Sequence, residues 1–167
     1  MAQLDSLYEV LENLISLHKA LYTLAVQKKE VLIKGEVDTL VQITHQEQKL
    51  IKGIETAEEK RIQLVQDLLK EKGMPLGEGT LSELIKLSTH AADKSKLTTC
   101  RNELTRIVSE LRAANEENQQ LLEQSLSFVN LSLELFTDHP EEDFFYKNPR
   151  TYQGGSHLNR PFINKKA

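Results

Sequence analysis

The stretch LDSLYEVLENLISLHKALYTLA, Leu4 to Ala25, decides the fold class. Leu4, Leu7, Leu11, Leu14, His18, Leu21 and Ala25 recur in alternating steps of three and four, the spacing that holds side chains on one face of an α-helix. Val10, Leu17, Leu24 and Val31 form a second stripe, and Tyr8, Ile15 and Tyr22 a third. The helix reads on to about Ile33 and stops at Lys34-Gly35, where glycine supplies a C-terminal cap. At about 1.5 Å per residue, thirty such residues span about 45 Å.

Downstream, Asp38 is the expected N-cap of a second long helix, because a short carboxylate accepts bonds from exposed amides. Its seam reads Val37, Leu40, Thr44, Glu47, Ile51, Ile54, Glu58, Arg61, Val65 and Leu68, with Ile43, Leu50, Ala57 and Leu64 alongside. Lys72-Gly73-Met74-Pro75 ends it, since proline cannot continue the hydrogen-bond ladder. After the loop GMPLGEG, Thr80-Leu81-Ser82-Glu83 has capping-box spacing and starts a short helix near Leu81–Leu87. A third long helix is expected from about Asp93–Ser95 to near Thr137. With no strand pattern, the chain reads as all-α: an elongated antiparallel bundle or coiled coil of three long helices, a short connecting helix and a flexible C-terminal tail. Residues 1–137 read as the helical domain and 138–167 as a basic, aromatic-containing tail.

Composition agrees. Tryptophan is absent, and the single Cys100 excludes an intrachain disulfide framework. The N-terminus has no basic leader and no apolar run reaches the length of a membrane span, so a cytosolic protein is expected. Every Asp and Glu lies at or before Asp143; against those 25 acids stand 16 bases, a net −9. Lys147, Arg150, Arg160, Lys165 and Lys166 give the remainder +5. These five charges are too dispersed for a nucleic-acid patch and fit a solvated tail. Phe144, Phe145, Tyr146, Tyr152 and Phe162 leave two further readings for it: a shield over the apolar end of the third helix, or a contact with a delivery apparatus.

The third helix changes character along its length. One heptad column reads Leu97, Leu104, Leu111, Asn118, Ser125, Ser132. Its flanks read Cys100, Ile107, Ala114, Leu121, Phe128, Leu135 and Arg101, Val108, Asn115, Leu122, Val129, Phe136. Outer positions turn apolar too, at Leu126, Leu131 and Leu133. From Leu121 to Phe136 the apolar arc reaches about 220°, roughly twice what one packed neighbour requires. Three occupants fit: the chain's own helices, a second copy, or a helix captured from another protein. Asn115 and Asn118 share a face near the seam, where an amide either fixes helix register or bonds a partner's backbone.

Chemistry finds little support. His18, His45, His90, His139 and His157 are scattered, with no Glu-x-x-His or His-Glu-x-x-His spacing, so neither a di-iron bundle nor a helical zinc site is expected. His18 reads as a neutral seam residue and Cys100 as a small packed one. The glycine loop lacks the Gly-Lys-Ser/Thr ending of a phosphate loop. No catalysis, metal or cofactor is expected.

Three stretches carry a family likeness: LYEVLENLISLHKALYTLA (7–25), KKEVLIKGEVDTLVQITHQEQKLIKGIETAEEKR (28–61) and NEENQQLLEQSLSFVNLSLEL (115–135). In these, and in the order of long helix, glycine turn, long helix, short helix and long C-terminal helix, the chain resembles the FlgN-type flagellar export chaperones of bacteria from about Leu4 to Thr137. The resemblance implies a cytosolic type III export chaperone that holds the C-terminal region of the hook–filament junction proteins FlgK and FlgL, prevents early assembly and helps deliver them to the flagellar export apparatus. It places client binding on the C-terminal helix, here Asn115, Asn118, Leu121, Leu122, Ser125, Leu126, Val129, Ser132, Leu133 and Phe136. The alternative from the residues alone is a homo-oligomeric scaffold, a coiled coil that dimerises through the wide face. Neither reading involves nucleic acid or stable membrane insertion.

Overall fold

A computed structural model describes residues 2–74 and 77–137. The architecture is all-α: α1 (Ala2–Lys34), α2 (Val37–Glu71), α3 (Leu81–Leu87) and α4 (Ala91–Phe136). By internal contacts the chain divides into two units, residues 1–124 and 125–167. That division falls inside α4, earlier than the 137/138 boundary drawn from composition; residues 138–167, read as a tail, lie outside the described residues.

The helix ends follow from backbone chemistry. Gly35 takes φ +71°, its N–H donates to the Leu32 carbonyl, and the N–H of Glu36 donates to that of Val31. Gly73 repeats the pattern at φ +72°, donating to Lys70 while Met74 donates to Leu69. Both are Schellman caps, which need a left-handed residue that glycine adopts without Cβ strain. Glycine therefore ends α2 before Pro75 is reached. The expected cap of α2 is corrected: Glu36 is the N-cap and makes no side-chain cap bond, while Asp38 sits within the first turn. There its charge faces the positive end of the helix dipole. α4 starts at Ala91, slightly earlier than read. The box at α3 forms as spelled, with the Glu83 amide donating to Thr80 Oγ1 and the Thr80 amide to Glu83 Oε2.

Within residues 1–124, α1 is the common partner. Its first turns (Leu7, Tyr8, Leu11) pack with Val65, Leu68 and Leu69 of α2, Leu81, Leu84 and Ile85 of α3, and Leu97 and Cys100 of α4. Further along, Val10 and Leu14 meet Ala57, then Leu21 and Ala25 meet Leu111, and finally Leu24 and Val31 meet Ile43. Rising α1 numbers pair with falling α2 numbers and rising α4 numbers, so α2 is antiparallel to α1 and α4 parallel to it. Polar ties fix the α1–α4 register: Tyr8 Oη to Asp93 Oδ1 at 3.2 Å, Lys19 to Glu103 at 3.3 Å and Lys29 to Glu117 at 2.8 Å. Each fully buried Leu contributes about 1.5–3 kcal/mol.

The seam read on α2 is partly corrected. Val65 and Leu68 are buried, but Val37, Thr44 and Ile51 are exposed, and Ile43 and Ala57 of the neighbouring stripe take the core. Small side chains explain the rotation: Ala57 is buried against α1, and Gly53 lies beside Leu17 with ordinary contact distance for an added Cβ.

Candidate functional site

α4 carries the residues that the resemblance assigns to client binding. In the first unit, Asn118 is 5% exposed, and its Nδ2 donates to the Ala25 carbonyl at 2.8 Å. Of its two openings, register inside the chain is the one this geometry occupies. Its Oδ1 is buried and receives no donor among the described residues. Asn115 is exposed, Leu121 half-buried and Leu122 exposed.

In the second unit, the described turns from Ser125 to Phe136 contain no buried residue. Leu126 is 56%, Leu133 46% and Phe136 87% exposed, and Val129 is exposed with them. At about 100° per residue these four share an arc of about 80°. Phe128, Leu131 and Leu135, also exposed, share a second arc of about 60°. Ser125 and Ser132 lie between the arcs, and Ser132 Oγ turns back onto the Phe128 carbonyl at 2.9 Å. Phe128, Leu131 and Leu135 are not among the residues that the resemblance assigns to client binding; in the sequence Phe128 and Leu135 stand in a flanking heptad column and Leu131 at an outer position.

The remaining seam positions of α2 line an open groove. Ile54, Glu58 and Arg61 face Arg101, Thr105 and Arg112 of α4 across about 690 Å³, floored by Leu14 and His18 of α1. Leu40, Thr44, Glu47 and Ile51 face Asn115, Gln119 and Leu122 across about 370 Å³. Its acids are internally matched. Glu58 is held below the usual carboxylate range by its hydrogen bonds from Arg61, and Lys28 pairs with Glu47 at 2.9 Å.

Three groups with chemical potential, His18, Cys100 and Tyr8, sit within the helix packing. His18 Nδ1 lies 2.7 Å from the Leu14 carbonyl, a contact within its own helix. Burial pushes the Cys100 thiol up from its ordinary value, which disfavours the reactive thiolate. Burial, reinforced by Asp93, pushes Tyr8 up to about 12. No group of His, Cys, Asp and Glu among the described residues could hold a metal ion, and no described helix is long and apolar enough to cross a membrane.

Fold and surface together define a class: an all-α protein in which, among the described residues, the apolar end of the longest helix is uncovered. The chain belongs to the FlgN family, whose model, described as "FlgN protein", matches residues 1–154. Membership makes it a flagellar export chaperone in the general sense of that family. A curated relative, "Uncharacterized protein YvyG" of Bacillus subtilis (strain 168), is 30% identical over 140 residues, covering 84% of this chain and 83% of its own length. No solved structure matches the chain.

Proposed function

We propose that this protein is the cytoplasmic chaperone of the hook–filament junction proteins FlgK and FlgL, and that it holds their C-terminal region on the last turns of α4. The observation that carries the reading is the exposure of Leu126, Val129, Leu133 and Phe136 on one arc of a helix. A chain burying such residues for its own stability would cover them. An amphipathic client segment folds as it lays its apolar side chains along that arc, with Asn115, Leu122 and the small Ser125 and Ser132 as neighbouring positions. Ordering the client costs about 2–5 kcal/mol, which keeps net affinity modest and suits a partner that must be released at the export gate. The chaperone uses no catalytic step and no cofactor in this role.

The test is fluorescence anisotropy of a labelled FlgK or FlgL C-terminal peptide against the chain and its Leu126→Ser/Leu133→Ser variant. The peptide should bind the native chain and lose at least about tenfold in affinity in the variant, a change of about 1.4 kcal/mol. Helical content and melting temperature should stay nearly unchanged. A variant that unfolds would place both leucines in the core, and peptide binding that ignores the substitutions would remove the site.

A further inference from the structure

The larger groove between α2 and α4 has a patterned wall. On its α4 side Arg101, Thr105, Val108 and Arg112 follow one another at steps of four, three and four, which makes them a single stripe along the helix. The stripe is cationic at both ends and apolar at its centre, where Val108 is 37% exposed. Ile54, half-buried, offers apolar surface from the α2 side. Charge in the groove is unbalanced. Glu58 is the one carboxylate among the lining residues, and Arg61 already holds it by two hydrogen bonds. Arg101 and Arg112 form no ion pair among the described residues, and Arg101 donates to the neutral Asn102 and Ser82. By contrast Arg106, between them in sequence, is engaged by both Glu103 and Glu110. Residues 1–124 hold 20 acids against 16 bases, so carboxylates are not scarce where these two arginines stand open.

Eleven residues of helix set the two arginines about 16 Å apart along the axis. No small anion spans that distance, so the matching ligand is elongated, negative at two points three turns apart and apolar between them. A helix with acids at its first and twelfth positions and aliphatic residues at its fifth and eighth has this form, because the four fall within an arc of about 60°. We propose that the groove takes an acidic amphipathic helix of another protein, its carboxylates on Arg101 and Arg112 and its aliphatic side chains over Val108 and Ile54. Arginine suits the role, since its fork binds a carboxylate through two parallel bonds. The apolar contacts supply the attraction, and the charges set the register. This chain's own C-terminal sequence does not match the pattern: residues 138–143 carry four acids but no aliphatic side chain, and residues 144–167 carry no acid. The site lies wholly within residues 1–124 and uses none of the positions assigned to the client.

The probe is a labelled alanine-based peptide of about 20 residues, long enough to hold a helix, with Glu, Leu, Leu and Glu at steps of four, three and four. Fluorescence anisotropy against the full chain should show saturable binding, weakened by added salt. A peptide of the same composition with the Glu and Leu positions exchanged keeps the charge but loses the pattern, and should bind at least about tenfold more weakly. The same loss is expected for the first peptide on Arg101→Glu/Arg112→Glu, whose two contacts become like-charged. That variant should instead prefer a peptide with Lys at the two outer positions, a gain that no misfolded chain would show. Val108→Asp, at an exposed site, should also weaken the first peptide, with helical content by circular dichroism unchanged. A native chain that leaves the peptide free at every concentration overturns the inference, whether a second copy or residues 138–167 hold the groove or nothing does. So does equal binding of the two peptides, or folded variants that bind the first peptide like the native chain.

Discussion

Leu111 and Leu133 belong to the same helix, yet Leu111 is 8% exposed and Leu133 46%. Helix propensity and hydrophobicity are identical at the two positions. The difference is the neighbour. Leu97 meets Leu7 and Leu11, Leu111 meets Leu21 and Ala25, and Asn118 holds the Ala25 carbonyl, so each turn of that stretch has a partner on α1. Between Ser125 and Phe136 the described residues include no buried side chain. Among the described residues nothing covers that apolar surface, and what separates the two leucines is position along one helix.

The contrast breaks most sharply by truncation. Leu11→Ala, at a fully buried site, should cost about 2–5 kcal/mol in a urea unfolding experiment, whereas Leu126→Ala should change stability by less than about 0.5 kcal/mol. Equal costs would put both leucines in one core. Asn118→Ala should cost about 1 kcal/mol by removing the bond to α1, and Asn115→Ala should be close to neutral by the same midpoint measurement. Alkali sharpens the picture at the other end of the α1–α4 contact. Tyr8 is raised to about 12 in the fold, chiefly by burial. A raised value means its contribution is complete below its ordinary value near 10 and is lost as pH climbs toward 12. Ultraviolet absorbance should show one tyrosine ionising late, with unfolding following it. Acid should have the smallest effect. Glu103 is lowered to about 2 by Arg106 and Lys19, so its contribution holds above its ordinary value of 4.5 and fades as pH falls toward 2. Because the group is only half-buried at the surface, Glu103→Gln should remove only a slight acid dependence of melting temperature, and salt should mask it.

Periodicity was enough for the four helices, because glycine caps, the Thr80 box and three-four stripes are local signals. It erred where two stripes competed. On α2 both candidate faces are partly apolar, and heptad spacing carries no information on which one α1 will choose. Side-chain size did carry it: Gly53 and Ala57 permit close approach, while Thr44, Glu47, Glu58 and Arg61 mark the face left to the groove. The wide end of α4 was legible as surplus apolar arc, and so was its Ser division. The inward role of Asn118 was legible as one of two readings, register or partner, and spacing alone did not choose between them.

The length of α4 has a kinetic meaning as well. Starting a helix is the unfavourable step, with a nucleation factor of about 10⁻³, whereas adding a residue to an existing helix is close to neutral. The turns from Leu97 to Asn118, clamped by α1, supply the nucleus. The turns from Ser125 to Phe136 hold no buried residue and persist largely by propagation. They can therefore unwind and rewind one residue at a time, from Phe136 inward, while the clamped turns stay formed. Amide exchange should quicken stepwise toward that end. A partner bound there would leave by peeling with the melting turns, and the helix would regrow from its template without a new nucleation event.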